Sequence, residues 1–357
     1  MSQITLSVTN HSFHCDTQHT ILEAALAANL VLPHSCRNGK CGSCKSKILE
    51  GTVDYGDHQP ETLTEEEKLQ GYALLCRAKP TCDEVVIQIT QPIQSASDKP
   101  IRKLAAIVDA LEKPASDVAI VHLKLPNNQK LDFWPGQYID ILLKDGHRRS
   151  FSLANTPKKG DKLELHIRHI AGGLFTDPLF TTFKGKEILR FEGPLGTFKF
   201  NENSDKPIIC IAGGTGFAPL QSMIEDSIDN GWTRPIIFYW GARTRKDLYK
   251  QDIPSLWEQT HSHIMFVPVL SDPQPEDNWA GKTGFVHEAV LQDFKSLSNF
   301  EVYACGSPQM VAAARRDFIA QAELSSDAFF ADAFELAAPA ENTAPAPSTT
   351  ISMTLNT

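Results

Sequence analysis

The sequence predicts a multidomain chain of the α+β and α/β classes. A hairpin and a capped helix lead into a cysteine-rich loop near the start, short alternating strands fill the middle, and apolar strands alternating with helical stretches fill most of the remainder. With 357 residues, 41% hydrophobic and 22% charged, the chain is long enough for several cores, which excludes wholesale disorder. Lys plus Arg number 34 against 43 Asp plus Glu, a net charge of −9, so no global attraction draws the protein to nucleic acid or anionic membranes. The N-terminal residues show no basic run followed by an apolar one, and no apolar stretch is long enough to span a bilayer; the expectation is a cytoplasmic protein.

Ile4 to Val8 alternates apolar and polar residues, Asn10-His11 turns, and Ser12 to Cys15 resumes the pattern, which predicts a hairpin. Thr20 with Glu23 forms a capping box ahead of Ile21, Leu22, Ala25 and Leu26. Strands are expected at Ser46–Leu49 and Val85–Ile89, with a charged stretch at Glu61–Lys68 between them, and Gln91–Pro100 reads as a linker. From Ile101 the period is two, at 119–125, 137–143, 150–153, 163–168 and 188–191, and the Gly, Pro and Asn turns between these runs predict an antiparallel barrel. Near Ser204 the pattern changes: 208–212, 236–240, 264–270 and 302–304 are apolar throughout, as in parallel strands covered on both faces. After Phe334 the Ala, Pro, Ser and Thr-rich composition predicts a disordered tail, and no internal repeat is evident.

Cys36, Cys41 and Cys44 crowd into one loop, and Cys76 follows after 31 residues (76 − 44 − 1). In a reducing compartment such crowding reads as metal ligation, and the four-then-two spacing suits a [2Fe–2S] cluster closed by a distant fourth thiolate. Gly39 and Gly42 let the backbone turn tightly and aim N–H groups at the sulfurs. Zinc modules use paired Cys-x-x-Cys or Cys/His sets, and here only one such pair exists. Cys15, Cys82 and Cys210 have no matching spacing and read as small packing residues.

Arg149-Ser150-Phe151-Ser152 offers a cation for a phosphate, an aromatic for a flavin and hydroxyls for its ring nitrogens, although an ordinary half-buried strand would read the same way. Gly172-Gly173 precedes Thr176 in a turn whose backbone donors suit a pyrophosphate. Gly213-Gly214-Thr215-Gly216 sits between an apolar strand and a helix, the context of dinucleotide binding. It departs from G-x-G-x-x-G at Thr215, and such a turn is also an ordinary tight loop. Cys305-Gly306 ends another apolar strand, where α/β sheets place ligands and where a lone cysteine also simply packs.

Taken in this order, the motifs resemble the modular ferredoxin–FAD–NAD(P) reductase family, from about Ile4 to Phe334. The resemblance implies a β-grasp plant-type 2Fe-2S ferredoxin domain (1–93), a linker (94–101), an antiparallel six-stranded FAD-binding barrel (102–203), a doubly wound parallel-sheet NAD(P)-binding domain (204–336) and the tail (337–357). It assigns Cys36, Cys41, Cys44 and Cys76 to the cluster. Arg149, Ser150, Phe151, Ser152, Gly173 and Thr176 fall to FAD, with Phe151 where relatives commonly carry tyrosine. Gly213, Gly214, Thr215, Gly216, Gly306 and Arg243 fall to the pyridine nucleotide, and Phe334 joins the cofactor-binding set. Ser152 and Cys305 are the expected catalytic residues, beside the flavin–nicotinamide contact.

The implied activity is NAD(P)H oxidation, NADH favoured, with electrons passing through FAD and the cluster to a separate acceptor protein. Gly136–Asp140, Trp279–His287 and Phe330–Phe334 look most like the branch serving a CDP-sugar C-3 dehydrase. An oxygenase component is the alternative acceptor, and a non-catalytic redox sensor a distant one. The acceptor is expected at the edge of the cluster loop, around Arg37, Asn38 and Lys40.

Overall fold

The computed structural model describes residues 1–7, 11–34, 37, 39, 42–56, 63–89, 94–95, 99–126, 129–159 and 161–334. Cys36, Asn38, Lys40, Cys41 and the expected tail at 337–357 lie outside the described residues.

The N-terminal unit contains β1 (Ser2–Leu6), β2 (Ser12–Cys15), α1 (Ile21–Ala27), β3 (Leu30–Val31), β4 (Lys45–Glu50), β5 (Val53–Asp54), α2 (Glu65–Leu69), β6 (Tyr72–Leu74), β7 (Lys79–Pro80), β8 (Glu84–Gln88) and β9 (Gln94–Ser95). Its main sheet runs β2-β1-β8-β4-β6. β1 pairs antiparallel with β2 and parallel with β8, the mixed arrangement of a β-grasp. The capping box forms as expected: Thr20 N–H donates to Glu23 at 2.8 Å, and Glu23 N–H donates to the Thr20 hydroxyl. α1 then buries Ile21, Leu22, Ala24 and Ala25. The stretch read as a linker contributes β9, which pairs with β3.

The middle unit contains β10 (Arg102–Ala115), β11 (Val118–Lys124), β12 (Tyr138–Leu142), β13 (Arg148–Ser152), β14 (Lys162–Arg168), α3 (Thr176–Thr181) and β15 (Ile188–Leu195). Its antiparallel order is β13-β12-β15-β10-β11-β14, and a bridge between Leu153 and Leu165 joins the two edges into a barrel. β10 escapes the period-two reading because register shifts at Val108/Ala110 and Glu112/Ala115 interrupt its alternation.

The C-terminal unit contains β16 (Ile208–Gly213), α4 (Phe217–Asp229), β17 (Ile236–Ala242), α5 (Asp252–Thr260), β18 (Ile264–Leu270), β19 (Lys282–Thr283), α6 (Val286–Asp293), β20 (Glu301–Gly306), α7 (Pro308–Gln321) and β21 (Phe329–Ala333). All pairs in the order β19-β18-β17-β16-β20-β21 are parallel. Cys210, Ala212, Phe238 and Trp240 belong to one core, and Ile209, Ile211, Tyr239 and Val302 to another, so the sheet is covered on both faces. Chain direction across the sheet reverses at β16, which lies between β17 and β20. Ligands of such folds sit beyond the carboxyl ends of the strands at that switch point, where the 213–216 turn and Cys305-Gly306 lie.

Candidate active site at the meeting of three units

Two of the four cysteines expected at the cluster, Cys44 and Cys76, are described, and they come together. Cys44 precedes β4, Cys76 follows β6, both are buried, and their sulfurs are 3.2 Å apart. The Cys76 turn is tied to α1 by Leu22 N–H to Leu75 O and Ile21 N–H to Ala78 O. Gly39 and Gly42 take positive φ of 88° and 76°, and a Cβ on Gly39 would stand 2.8 Å from Arg77, so the loop needs both glycines. Paired buried thiols under a glycine-shaped loop fit a thiolate-held iron–sulfur group.

The cluster loop is also held against the other two units. Arg37, itself at a φ of 57°, points its guanidinium at Asp140 of β12 at 3.5 Å. Asp140 is buried and also accepts from the Ser150 hydroxyl at 2.6 Å, with Arg148 at 3.6 Å. Arg37, the described member of the expected docking edge, is thus tied to the barrel while its side chain stays 28% exposed; Asn38 and Lys40 lie outside the described residues. Ser43 donates its hydroxyl to Ala331 O of β21 at 3.3 Å, and His34 N–H donates to the Thr197 hydroxyl at 3.4 Å. His34 is buried; its Nδ1 meets Leu32 O at 2.8 Å, and desolvation lowers its pKa to about 4, leaving a neutral ring. Among the described residues its Nε2 is buried without a hydrogen-bond partner, an orphan that a bound group at this junction would satisfy.

On β13, strand alternation splits the expected flavin residues. Tyr138 and Asp140 of β12 face Ser152 and Ser150, whereas Ile139 and Ile141 face Phe151 and Arg149. Phe151 packs on Phe175 at 5.4 Å, and Arg149 donates to Arg148 O at 2.8 Å. Ser152 instead reaches the C-terminal unit, its hydroxyl directed to Asp332 at 3.5 Å.

The glycine turn expected at the pyrophosphate spends its first donors internally: Gly172 N–H on the Asp177 carboxylate and Gly173 N–H on Ile170 O. Thr176 accepts from Ile170 N–H and donates to Ile170 O, and a Cβ on Gly173 would strike it at 2.3 Å. These two residues build the turn, and the N–H groups beyond Gly173 are the ones left to meet an anion.

At the switch point, Asp332 of β21 is paired in register with Cys305 of β20. Burial pushes the Cys305 thiol well above its ordinary pKa and the Asp332 charge adds to the shift, so the sulfur stays protonated. Gly213 and Gly306 face each other closely: a Cβ on Gly306 would lie 3.1 Å from Gly213 Cα. A Cβ on Gly216 would lie 2.1 Å from Cys305 O. Thr215 is buried in the turn, and Phe334 anchors its N–H on Gly306 O at 2.7 Å. Arg243 ends exposed after β17, whereas Arg245 is engaged with Asp277.

Asp140 and Asp332 are the residues the sequence reading missed. Each is a lone carboxylate in an otherwise apolar strand, Tyr138-Ile-Asp-Ile-Leu142 and Phe329-Phe-Ala-Asp-Ala333, and that exception was the available signal.

Because Gly216 has an ordinary φ of −59°, only space excludes a side chain there. Gly216→Ala is expected to cost about 1–3 kcal/mol by overpacking, read as a lower Tm with a raised KM for the pyridine nucleotide. Unaltered values for both would show that the turn yields freely.

A β-grasp unit with paired thiols, an antiparallel barrel and a doubly wound sheet meeting at one point define a three-domain, ferredoxin-reductase-type oxidoreductase. Residues 4–81 match the 2Fe-2S iron-sulfur cluster binding domain, 105–200 the oxidoreductase FAD-binding domain and 210–316 the oxidoreductase NAD-binding domain. The chain belongs to this reductase family. It is 41% identical over 322 residues, 90% of this chain and 95% of the relative, to the CDP-6-deoxy-L-threo-D-glycero-4-hexulose-3-dehydrase reductase of Yersinia pseudotuberculosis. It is 33% identical over 314 residues, 87% of this chain and 88% of the relative, to the reductase component DmpP of a Pseudomonas phenol 2-monooxygenase. The crystal structure of the Amycolatopsis reductase GcoB superposes with a TM-score of 0.76 at 32% identity, covering 94% of this chain and 99% of that one. Among the described residues no helix is long and apolar enough to cross a membrane.

Proposed function

We propose that the protein oxidises NADH and delivers the electrons, through FAD and a 2Fe-2S cluster, to a separate protein of the CDP-sugar C-3 dehydrase type, in the cytoplasm. The observation that carries this reading is the convergence of Arg37 on Asp140, Ser43 on Ala331 and Ser152 on Asp332, which puts all three units at one junction. Flavin, when bound, takes electrons in pairs from a nicotinamide and gives them singly to an iron–sulfur centre. Cys36, Cys41, Cys44 and Cys76 would hold the cluster, and Arg149, Ser150, Phe151, Ser152 and the turn around Gly173 and Thr176 the FAD. The 213–216 turn, Gly306 and Arg243 would hold the nucleotide, with Phe334 beside the cofactors.

Ser152 and Cys305 serve this chemistry through Asp332. The buried carboxylate orients the Ser152 hydroxyl across the domain boundary and adds to the burial that keeps the Cys305 thiol neutral, so two small polar groups stand together at the switch point. Ser152→Ala and Cys305→Ala are each expected to slow flavin reduction by NADH by about tenfold or more in stopped flow, with FAD content retained. Wild-type rates in both variants would remove them from the mechanism.

The function itself is tested by reconstitution. Anaerobic NADH should bleach the visible spectrum of the purified protein, and a CDP-sugar C-3 dehydrase should then accept its electrons. Delivery to an oxygenase component alone would reassign the acceptor, and no bleaching would refute the reading.

A further inference from the structure

Three alternate residues of β14 leave the barrel and enter the nucleotide-binding unit. Glu164, His166 and Arg168 share one face of the strand, because side chains alternate with period two. Lys250 donates to Glu164 at 3.3 Å, His166 Nδ1 lies 2.9 Å from the Tyr249 hydroxyl, and Arg168 covers Gly214 so closely that a Cβ there would stand 2.8 Å from its guanidinium.

His166 is fully buried, and its Nε2 is 2.8 Å from Glu164 Oε1. Desolvation lowers the pKa of the imidazole and leaves it neutral. Burial alone would raise the Glu164 pKa, but the His166 hydrogen bond, with the charge His166 carries in acid and those of Lys250 and His122, outweighs it and holds the carboxyl below the ordinary range, ionised at neutral pH. A neutral ring facing an ionised carboxylate carries its proton on Nε2, so Nδ1 accepts the Tyr249 O–H. The chain of donors then runs in one direction, from Tyr249 to His166 to Glu164.

This chain ends under the nucleotide turn. Tyr249 meets Trp240 edge-on at 5.3 Å, and Trp240 donates its indole N–H to Gly214 O at 3.0 Å. Phe217, the first residue of α4, stacks on Trp240 at 4.2 Å and on His166 at 5.9 Å. Both ends of the Gly214–Phe217 turn thus bear on aromatic rings linked to His166, Phe217 directly and Trp240 through Tyr249.

We propose that Glu164, His166 and Tyr249 are positioning residues that register the nucleotide turn on the flavin barrel, and so set the angle at which the nicotinamide meets the flavin. The inference rests on the NADH-to-flavin reading above.

Stopped-flow reduction of the holoenzyme over a range of NADH concentrations separates binding from transfer. His166→Phe keeps a ring against Phe217 but loses both hydrogen bonds, and Tyr249→Phe removes one hydroxyl. Each is expected to lower the limiting rate of flavin reduction by about tenfold or more, as misplacement of reactants does. The NADH dissociation constant and the FAD and iron content should hold, and the long-wavelength NADH–flavin charge-transfer absorbance should weaken. The double variant should be no slower than the slower single one, because the two residues make one hydrogen bond. Wild-type limiting rates, a loss confined to NADH affinity, or additive losses would each overturn the assignment. A wild-type protein that NADH fails to reduce would instead overturn the function on which it rests.

Discussion

Cys76→Ser is expected to empty the protein of iron and inorganic sulfide while leaving its fold and FAD in place. Serine is nearly isosteric with cysteine, and the backbone around position 76 is fixed independently of the side chain by Leu22 to Leu75 O, Ile21 to Ala78 O and Leu75 to Cys44 O. What disappears is one of two buried sulfurs 3.2 Å apart, and a neutral hydroxyl does not replace a soft thiolate toward iron. NADH-driven reduction of cytochrome c, a large one-electron acceptor, should fall about a hundredfold or more, a loss at least as great as that of a group that merely supports a ligand. Ferricyanide, which takes electrons from the flavin directly, should still be reduced. Cys82→Ser is the control: Cys82 sits between Thr52 and Glu84 and should keep its iron. Retained iron in the Cys76 variant would remove that residue from the ligand set.

Much of this architecture is local and therefore legible. The Thr20/Glu23 box, the cysteine loop, the apolar runs at 208–212 and 264–270 and the glycine turn after β16 each depend on neighbours a few residues apart. What the sequence hides is of two kinds. β10 was hidden by register shifts that carry its side chains out of alternation. The junction was hidden by separation along the chain: Ser152 and Asp332 are 180 residues apart, and Ser43 and Ala331 are 288 apart. No periodicity pairs such positions, so Asp140 and Asp332 stand out only as carboxylates in apolar strands. The motif around Arg149 was legible as a motif but not as a surface. Its alternate residues point to opposite faces, Phe151 toward Phe175 and Ser152 toward Asp332.

Asp140→Asn is expected to leave flavin reduction by NADH at the wild-type rate and to slow the next transfer, from flavin to cluster, by about tenfold or more. The carboxylate is buried and gathers the Ser150 hydroxyl at 2.6 Å, Arg37 at 3.5 Å and Arg148 at 3.6 Å. Arg148 has a second anion in Glu192, so losing the charge at 140 leaves it paired. Among the described residues Arg37 has no second ion pair, and with its side chain 28% exposed it can turn to water. The cost to stability is then that of one charge-assisted contact, about 1–3 kcal/mol, below the penalty of stranding a buried charge. The consequence falls on position: Arg37 follows Cys36 directly, and releasing it loosens the cluster loop from the barrel while Ser43 and His34 still hold the unit elsewhere. Rapid-mixing absorbance at the flavin and cluster bands separates the two transfers. Arg37→Ala should reproduce the defect, and the double variant should add little to it, because both substitutions remove the same contact. Cluster reduction at the wild-type rate in Asp140→Asn would mean that the loop is seated by its other contacts, and that Asp140 has no part in the electron path.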